Sequence, residues 1–252
     1  MVTTPQAAPA NSGDTVESIQ SLVATVVVAV FAITFIIQAF QIPSPSMETT
    51  LLVGDYLLVD KLRYGDSRFV NWILPYRPVK RGDIVVFHYP VNPAQHFVKR
   101  VIGLPGDRLR LRGKRVLING VALEESYVRY LPGPSDAYRD DFPKLGVIAP
   151  SVDATWWEEF PKLVRNGELV VPEDHYFVMG DNRDNSSDSR YWGFVPRENI
   201  IGRPLVIYWS LRNAEGDLAA GTTVNDKIFH FAYVATHIFQ MTRWDRTFRR
   251  VR

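Results

Sequence analysis

From Leu22 to Ile42 the chain carries no charged residue, and only Thr25, Thr34, Gln38 and Gln41 interrupt its apolar run. That is about the 20 residues a helix needs to cross a hydrocarbon core. The β-branched Val26, Val27, Val28, Ile33, Ile36 and Ile37 would weaken a soluble helix. In lipid, however, every backbone group must be satisfied internally, and helix is the available answer. The run therefore predicts one transmembrane helix over residues 21–42, preceded by a polar tail at 1–20. A cleavable secretory signal is the rival reading. Against it stand an N-terminal region without Lys or Arg, containing Asp14 and Glu17, and an apolar run longer than such signals carry. Orientation is less constrained. No basic residue precedes the span while Lys61 and Arg63 follow it, which by the positive-inside tendency puts the rest of the chain in the cytoplasm. That tendency loses force for long translocated domains.

Residues 43–252 are enough for one substantial core. A net charge of +2 gives no reason to invoke nucleic acid, and the absence of cysteine removes disulfides, zinc-thiolate sites and thiol nucleophiles together. Short runs rich in Val, Ile, Leu and aromatics follow one another: 56–61, 83–89, 97–102, 107–111, 115–118, 168–171, 175–179 and 204–209. Asn119-Gly120, between two apolar triplets, is a strong hairpin signal. The pattern predicts a mainly β domain, an antiparallel β-sandwich or open barrel with few helices. Between Ser126 and Pro161, proline, glycine and aspartate gather without periodicity, so about 119–172 is expected to be an irregular excursion or inserted subdomain. Residues 228–240 are apolar but too short for an ordinary span, and read as a surface-associated or core helix. The basic C-terminus, Arg243, Arg246, Arg249, Arg250 and Arg252 with Trp244 and Phe248 interleaved, suits either anionic headgroups or plain solvent.

The five histidines, at 88, 96, 175, 230 and 237, sit in strand-like or helix-like runs without a distinctive neighbour, so packing or surface roles are the default for each. Asp181-Asn182-Arg183-Asp184-Asn185 briefly imitates a calcium loop. A basic residue occupies a ligand position, though, and the required glycine and glutamate do not follow. No metal site and no cofactor is expected. Serine and lysine offer more. Ser46 lies just beyond the apolar run, and Lys99 is embedded in Phe97-Val98-Lys99-Arg100-Val101-Ile102, on one strand face with Phe97 and Val101. An amine on an apolar face must pair with an acid, snorkel to solvent or lose its proton. Only the last makes it a base at neutral pH.

Four separated blocks together resemble the type I signal peptidases, membrane-bound serine peptidases with a serine-lysine dyad. They are Ile42-Pro43-Ser44-Pro45-Ser46-Met47; Gly54-Asp55-Tyr56 through Lys61; Arg81-Gly82-Asp83 leading into Lys99-Arg100 and Leu104-Pro105-Gly106-Asp107; and Met179-Gly180-Asp181-Asn182-Arg183 through Gly193. Arg243-Trp244-Asp245-Arg246 is similar to the family's ending, less specifically. The resemblance implies Ser46 as nucleophile and a neutral Lys99 as general base. It also implies an oxyanion hole from the Ser44 hydroxyl and the Ser46 N–H, Ser186 orienting the lysine amine, and Asp188 with Arg190 in support. For that last pair a structural salt bridge is the preferred reading.

The family cuts after small residues at the first and third positions before the scissile bond, in Ala-x-Ala fashion. By resemblance, two shallow pockets for them are walled by Phe40, Ile42, Pro43, Met47, Leu51, Phe97 and Val98, all of which also suit a core or membrane boundary. Extended substrate would add to the strand edges beside Ser46 and Lys99. Pro45 stands where relatives commonly carry a small residue, and Thr49 where many carry proline; neither change removes a reacting group. The implied partners are signal-peptide-bearing preproteins and the lipid bilayer. The implied place is a bacterial plasma membrane, crossed once, with the catalytic domain on the outer side. A non-catalytic membrane-tethered binder of extended peptides is the alternative, and it needs neither Ser46 nor Lys99. The self-cleaving repressors share the dyad, but no DNA-binding region precedes Ser46 here.

Overall fold

Alternation of buried and half-buried side chains runs along β2 (Asp55–Asp60), the pattern of a strand with one face on a core. In β3 (Ile84–His88) the first four residues are all buried, as expected where both faces are covered. The computed structural model describes residues 12–31, 37–61, 77–147, 149–212 and 236–251. Its strands form two antiparallel sheets. The first adds β1 (Ile37–Gln41), β4 (His96–Gly103), β10 (His175–Met179), β11 (Val195–Pro196) and β12 (Ile200–Ser210), in the order β1-β2-β12-β3-β4-β10-β11. A short β13 (Arg249–Arg250) pairs with β12. The second has five strands in the order β7-β6-β5-β9-β8: β5 (Arg108–Arg112), β6 (Arg115–Ile118), β7 (Val121–Ala122), β8 (Val164–Arg165) and β9 (Glu168–Val170). The first sheet stays open, with β1 and β11 at its ends. Asn119 and Gly120 both have positive φ, 54° and 83°, which is what a two-residue turn between β6 and β7 requires.

The excursion from 126 to 161 is less irregular than its composition suggests. It holds α2 (Ala137–Asp140) and the start of α3 (Ala154–Leu163), capped by Asp136 and Asp153, whose side chains accept backbone N–H groups of the first turn. Tyr138, Phe142, Trp156 and Phe160 from this stretch pack with Leu109, Leu111, Leu169 and Phe177 into one apolar cluster. Aromatic packing, rather than local periodicity, makes this segment fold.

The N-terminal helix differs from the expected 21–42. The helix α1 runs over Ser12–Phe31, and Ile37–Gln41 is a strand whose residues pair with Tyr56–Asp60 of β2. Sheet pairing satisfies the backbone there, so the last apolar residues of the run serve the fold rather than a span. Among the described residues no helix is long and apolar enough to cross a membrane. Residues 228–235 of the second apolar stretch lie outside the described residues, and 236–241 are helical with Phe239 exposed.

The arginine-rich end is not uniformly solvated. Arg246 reaches Asp55, which is fully buried, at 2.5 Å and 3.2 Å, and also donates to the Thr50 carbonyl at 3.0 Å. Asp55 further accepts from Ser210 Oγ at 2.6 Å and from Leu52 N–H at 2.8 Å, tying the end of the chain to the loop between Ser46 and β2. Removing one partner of such a pair strands a buried charge. Arg246→Ala is therefore expected to destabilise the protein by about 3–5 kcal/mol, read as a lower denaturant midpoint.

Candidate active site

Ser46 sits in a single 3-10 turn, Pro45–Met47, that follows β1. Ser44 before it is extended (φ −133°, ψ 152°), and Pro45 occupies the first position of the turn, where a missing N–H costs nothing and a fixed φ helps. The turn is fastened from behind by the segment after β10. Asn182 N–H donates to the Ser46 carbonyl at 3.1 Å, and Asn182 Nδ2 to the Pro45 carbonyl at 3.3 Å.

Lys99 comes from the middle of β4, between β3 and β10. Its Nζ donates to Ser46 Oγ at 2.7 Å, with Lys99 4 % and Ser46 7 % exposed. Nζ also lies 5.4 Å from the centre of the Phe97 ring, so the strand-face assignment of Lys99 with Phe97 holds. Burial drives the Lys99 pKa down from 10.5 to about 8. The charges of Asp188 and Asp181 oppose that shift, and Arg190 adds to it. Neither acid hydrogen-bonds the amine, because each is engaged elsewhere. Asp188 Oδ1 and Oδ2 accept Arg190 Nε and a terminal nitrogen at 2.8 Å each. Asp181 is held in the same two-point manner by Arg100, at 2.8 and 2.7 Å.

Ser44 Oγ is 3.3 Å from Ser46 Oγ. Ser186 differs from the role implied for it: its Oγ is buried and makes no hydrogen bond to the amine, facing the Asp188 carboxylate instead, which it helps to keep ionised. It is also packed against Gly180, where a Cβ would fall 2.3 Å from that oxygen.

A cleft of about 320 Å³ opens over the two serines and Lys99. Of the expected wall residues, Phe40, Ile42, Pro43, Met47, Phe97 and Val98 line it. Leu51 does not; it is fully buried in the cluster formed with Ile42, Met47, Leu57 and Val86. His96, Asn185 and Ser187 line the cleft without having been singled out from the sequence. Asn185 and Ser187 flank Ser186 in the last matching block, which is the signal that could have found them. His96 carries no such signal, since it reaches the cleft only through its place at the start of β4 beside Phe40, 5.4 Å away ring to ring.

The carboxylates of the calcium-like loop are committed to cations of this chain: Asp181 to Arg100, and Asp184 to Lys114 at 2.8 Å and Arg139 at 3.1 Å. Among the described residues no three or more His, Asp or Glu side chains converge.

Residues 15–209 match the family model described as signal peptidase, peptidase S26. A protein named signal peptidase I from Leptolyngbya laminosa is 39 % identical, over 85 % of this chain and 92 % of its own length. One from Pseudomonas fluorescens is 39 % identical over 70 % of this chain and 66 % of its own, and one from Aquifex aeolicus 36 % identical over 77 % and 84 %. This chain thus spans just under two thirds of the Pseudomonas protein and most of the other two. A solved signal peptidase I from Enterococcus faecalis is 35 % identical, covering 50 % of this chain and 97 % of that one with a TM-score of 0.37. With a family match running from α1 to β12 and relatives of one name in several bacteria, the chain belongs to the signal peptidase family, peptidase S26, as a type I signal peptidase.

Proposed function

We propose that this chain is a membrane-anchored serine endopeptidase that removes signal peptides from translocated preproteins, with Ser46 as nucleophile and Lys99 as general base. The observation that carries this reading is the 2.7 Å contact between Lys99 Nζ and Ser46 Oγ in a buried site whose amine has lost much of its basicity. A neutral Lys99 takes the Ser46 proton as Oγ attacks the scissile carbonyl. The tetrahedral oxyanion is met by the Ser44 hydroxyl and the Ser46 N–H. Lys99 then passes the proton to the leaving amine, and an acyl group remains on Ser46. Water attacks that ester with Lys99 again as base, and the proton returns to Ser46 Oγ as the signal peptide leaves. Asp188 and Arg190 are assigned to supporting the amine through their charges rather than by contact, and Ser186 would orient it only by turning its Oγ from its place against Gly180.

Ile42, Pro43, Met47 and Val98 give the cleft apolar walls beside Ser46, and the preference for alanine-sized groups is assigned to them. Anchoring is assigned to α1: Val23, Val26, Val27 and Val30 each expose more than half of their surface, and no charge lies between Ser18 and Phe31. The carboxyl end of the apolar run then leads through β1 directly to the nucleophile.

The test is cleavage of a purified preprotein ending its signal in Ala-x-Ala, with the new N-terminus sequenced. Replacement of the residue before the cut by Trp is expected to stop processing at that bond. Binding without cleavage by well-folded wild type would instead identify a peptide-holding protein. The pH profile gives a second, independent reading. Only neutral Lys99 is competent, so kcat/KM should rise with pH, falling about tenfold per unit below the Lys99 pKa and levelling above it. With that pKa at about 8, the rising limb belongs between pH 6 and 9. A limb centred near 6.5, the histidine range, would remove Lys99 as the base.

A further inference from the structure

His88 and His96 face each other across β3 and β4 at the outer end of the hairpin. The next pair outward, Tyr89 and Gln95, is joined by a hydrogen bond from Tyr89 N–H to the Gln95 carbonyl, 2.9 Å. Hydrogen-bonded and non-hydrogen-bonded pairs alternate in an antiparallel ladder, so His88 and His96 occupy the non-hydrogen-bonded kind, in which side chains approach most closely. Their ring centres are 4.8 Å apart. A nitrogen ligand about 2.1 Å from a zinc-like ion puts its ring centre about 3.2 Å from that ion, and two such rings at 90–110° stand about 4.5–5.3 Å apart. The observed spacing falls inside that range.

The donor chemistry agrees. His88 Nδ1 lies 3.0 Å from the Pro93 carbonyl, an acceptor that fixes the proton on Nδ1 and leaves the Nε2 lone pair for a ligand role. His96 is exposed, so an ion has access from solvent. We infer that His88 and His96 form a two-histidine binding site for a divalent transition-metal ion at the rim of the cleft. Imidazole selects copper, zinc and nickel over magnesium or calcium, and two protein ligands leave the remaining positions to water. Because His96 and Phe40 share the wall of the cleft, an ion held there narrows the path of an extended substrate. That consequence rests on the cleft being the substrate groove, whereas binding of the ion does not.

The experiment is calorimetric titration of the full chain, free of any histidine tag and held in detergent, with Zn²⁺ and separately with Cu²⁺. One ion per chain is expected, with affinity reduced at least tenfold in His88→Gln and in His96→Gln and unchanged in His175→Gln. Equal affinity in the double variant, or no binding by wild type at millimolar metal, overturns the site. In parallel, Zn²⁺ is expected to raise KM for a preprotein in wild type and to leave it unchanged in His88→Gln. Metal that binds through both histidines without moving KM leaves the site standing and removes this rim from the substrate path.

Discussion

Ser46→Ala and Lys99→Met are each expected to lower kcat/KM for a preprotein by about 10⁴-fold or more, and the double variant to lose little beyond either single one. The two side chains act as one unit, since the hydroxyl is a poor nucleophile without a base and the base has no other proton to take. The residual rate comes from binding and the oxyanion donors. Loss of fold must be separated from loss of chemistry, and Lys99 offers a way to do so. A folded-state pKa near 8 against 10.5 unfolded means that the unfolded chain binds more protons between those values, so stability rises with pH across that window. Below about pH 8 the full cost of charging a buried amine is present, on the order of a few kcal/mol. Lys99→Met removes that cost. It should therefore melt higher than wild type at pH 7 and lose the stability slope between pH 8 and 10. An inactive variant that is also more stable cannot owe its inactivity to unfolding. A Lys99→Met protein that melts lower at pH 7 would contradict the account of the amine as a desolvated base.

The parts of this structure that local pattern controls could be read directly. Short apolar and aromatic runs located the longer strands of the two cores because buried strands concentrate such residues, and Asn119-Gly120 located a hairpin because few residues tolerate its backbone. The apolar run from Leu22 to Ile42 was misdivided for a related reason. Hydropathy reports that Ile37, Phe40 and Ile42 avoid water without saying whether lipid, core or cleft receives them, and pairing with β2 decided for the sheet. The helices in the 126–161 stretch escaped notice because their stability comes from Tyr138, Trp156 and Phe160 meeting side chains far away in sequence. At the site, residue identities were legible while contacts were not. Ser46 and Lys99 are 53 positions apart, and only the passage of β4 beside the Pro45–Met47 turn brings them to 2.7 Å. Ser186 and Leu51 show the limit of that reading. Their places in the chain suggested contacts, and packing against Gly180 and in the Ile42–Leu57 cluster directed them elsewhere.

Gly180→Ala should damage activity severely, although Gly180 carries no reacting group. A Cβ there would lie 2.4 Å from the Ser46 carbonyl oxygen, 2.3 Å from Ser186 Oγ and 2.6 Å from Ser186 Cβ. None of these contacts can be relieved by turning a flexible chain end. The carbonyl belongs to the nucleophile's own turn and is already held by Asn182 N–H, and Ser186 is enclosed. The added methyl must therefore displace the turn that carries Ser46 from the strand that carries Lys99. A displacement of about 1 Å at a reacting pair costs on the order of 10²-fold in rate, while the accompanying overpacking costs about 1–3 kcal/mol of stability. A fall of at least 10²-fold in kcat is expected, with KM nearly unchanged because the cleft walls formed by Phe40, Phe97 and Val98 are untouched. The pH profile distinguishes this from an electrostatic effect. Lys99 stays buried, so the rising limb should remain near pH 8 while its plateau drops. Wild-type kcat in a folded Gly180→Ala protein would mean that the close approach of these two segments does not set the geometry of the dyad.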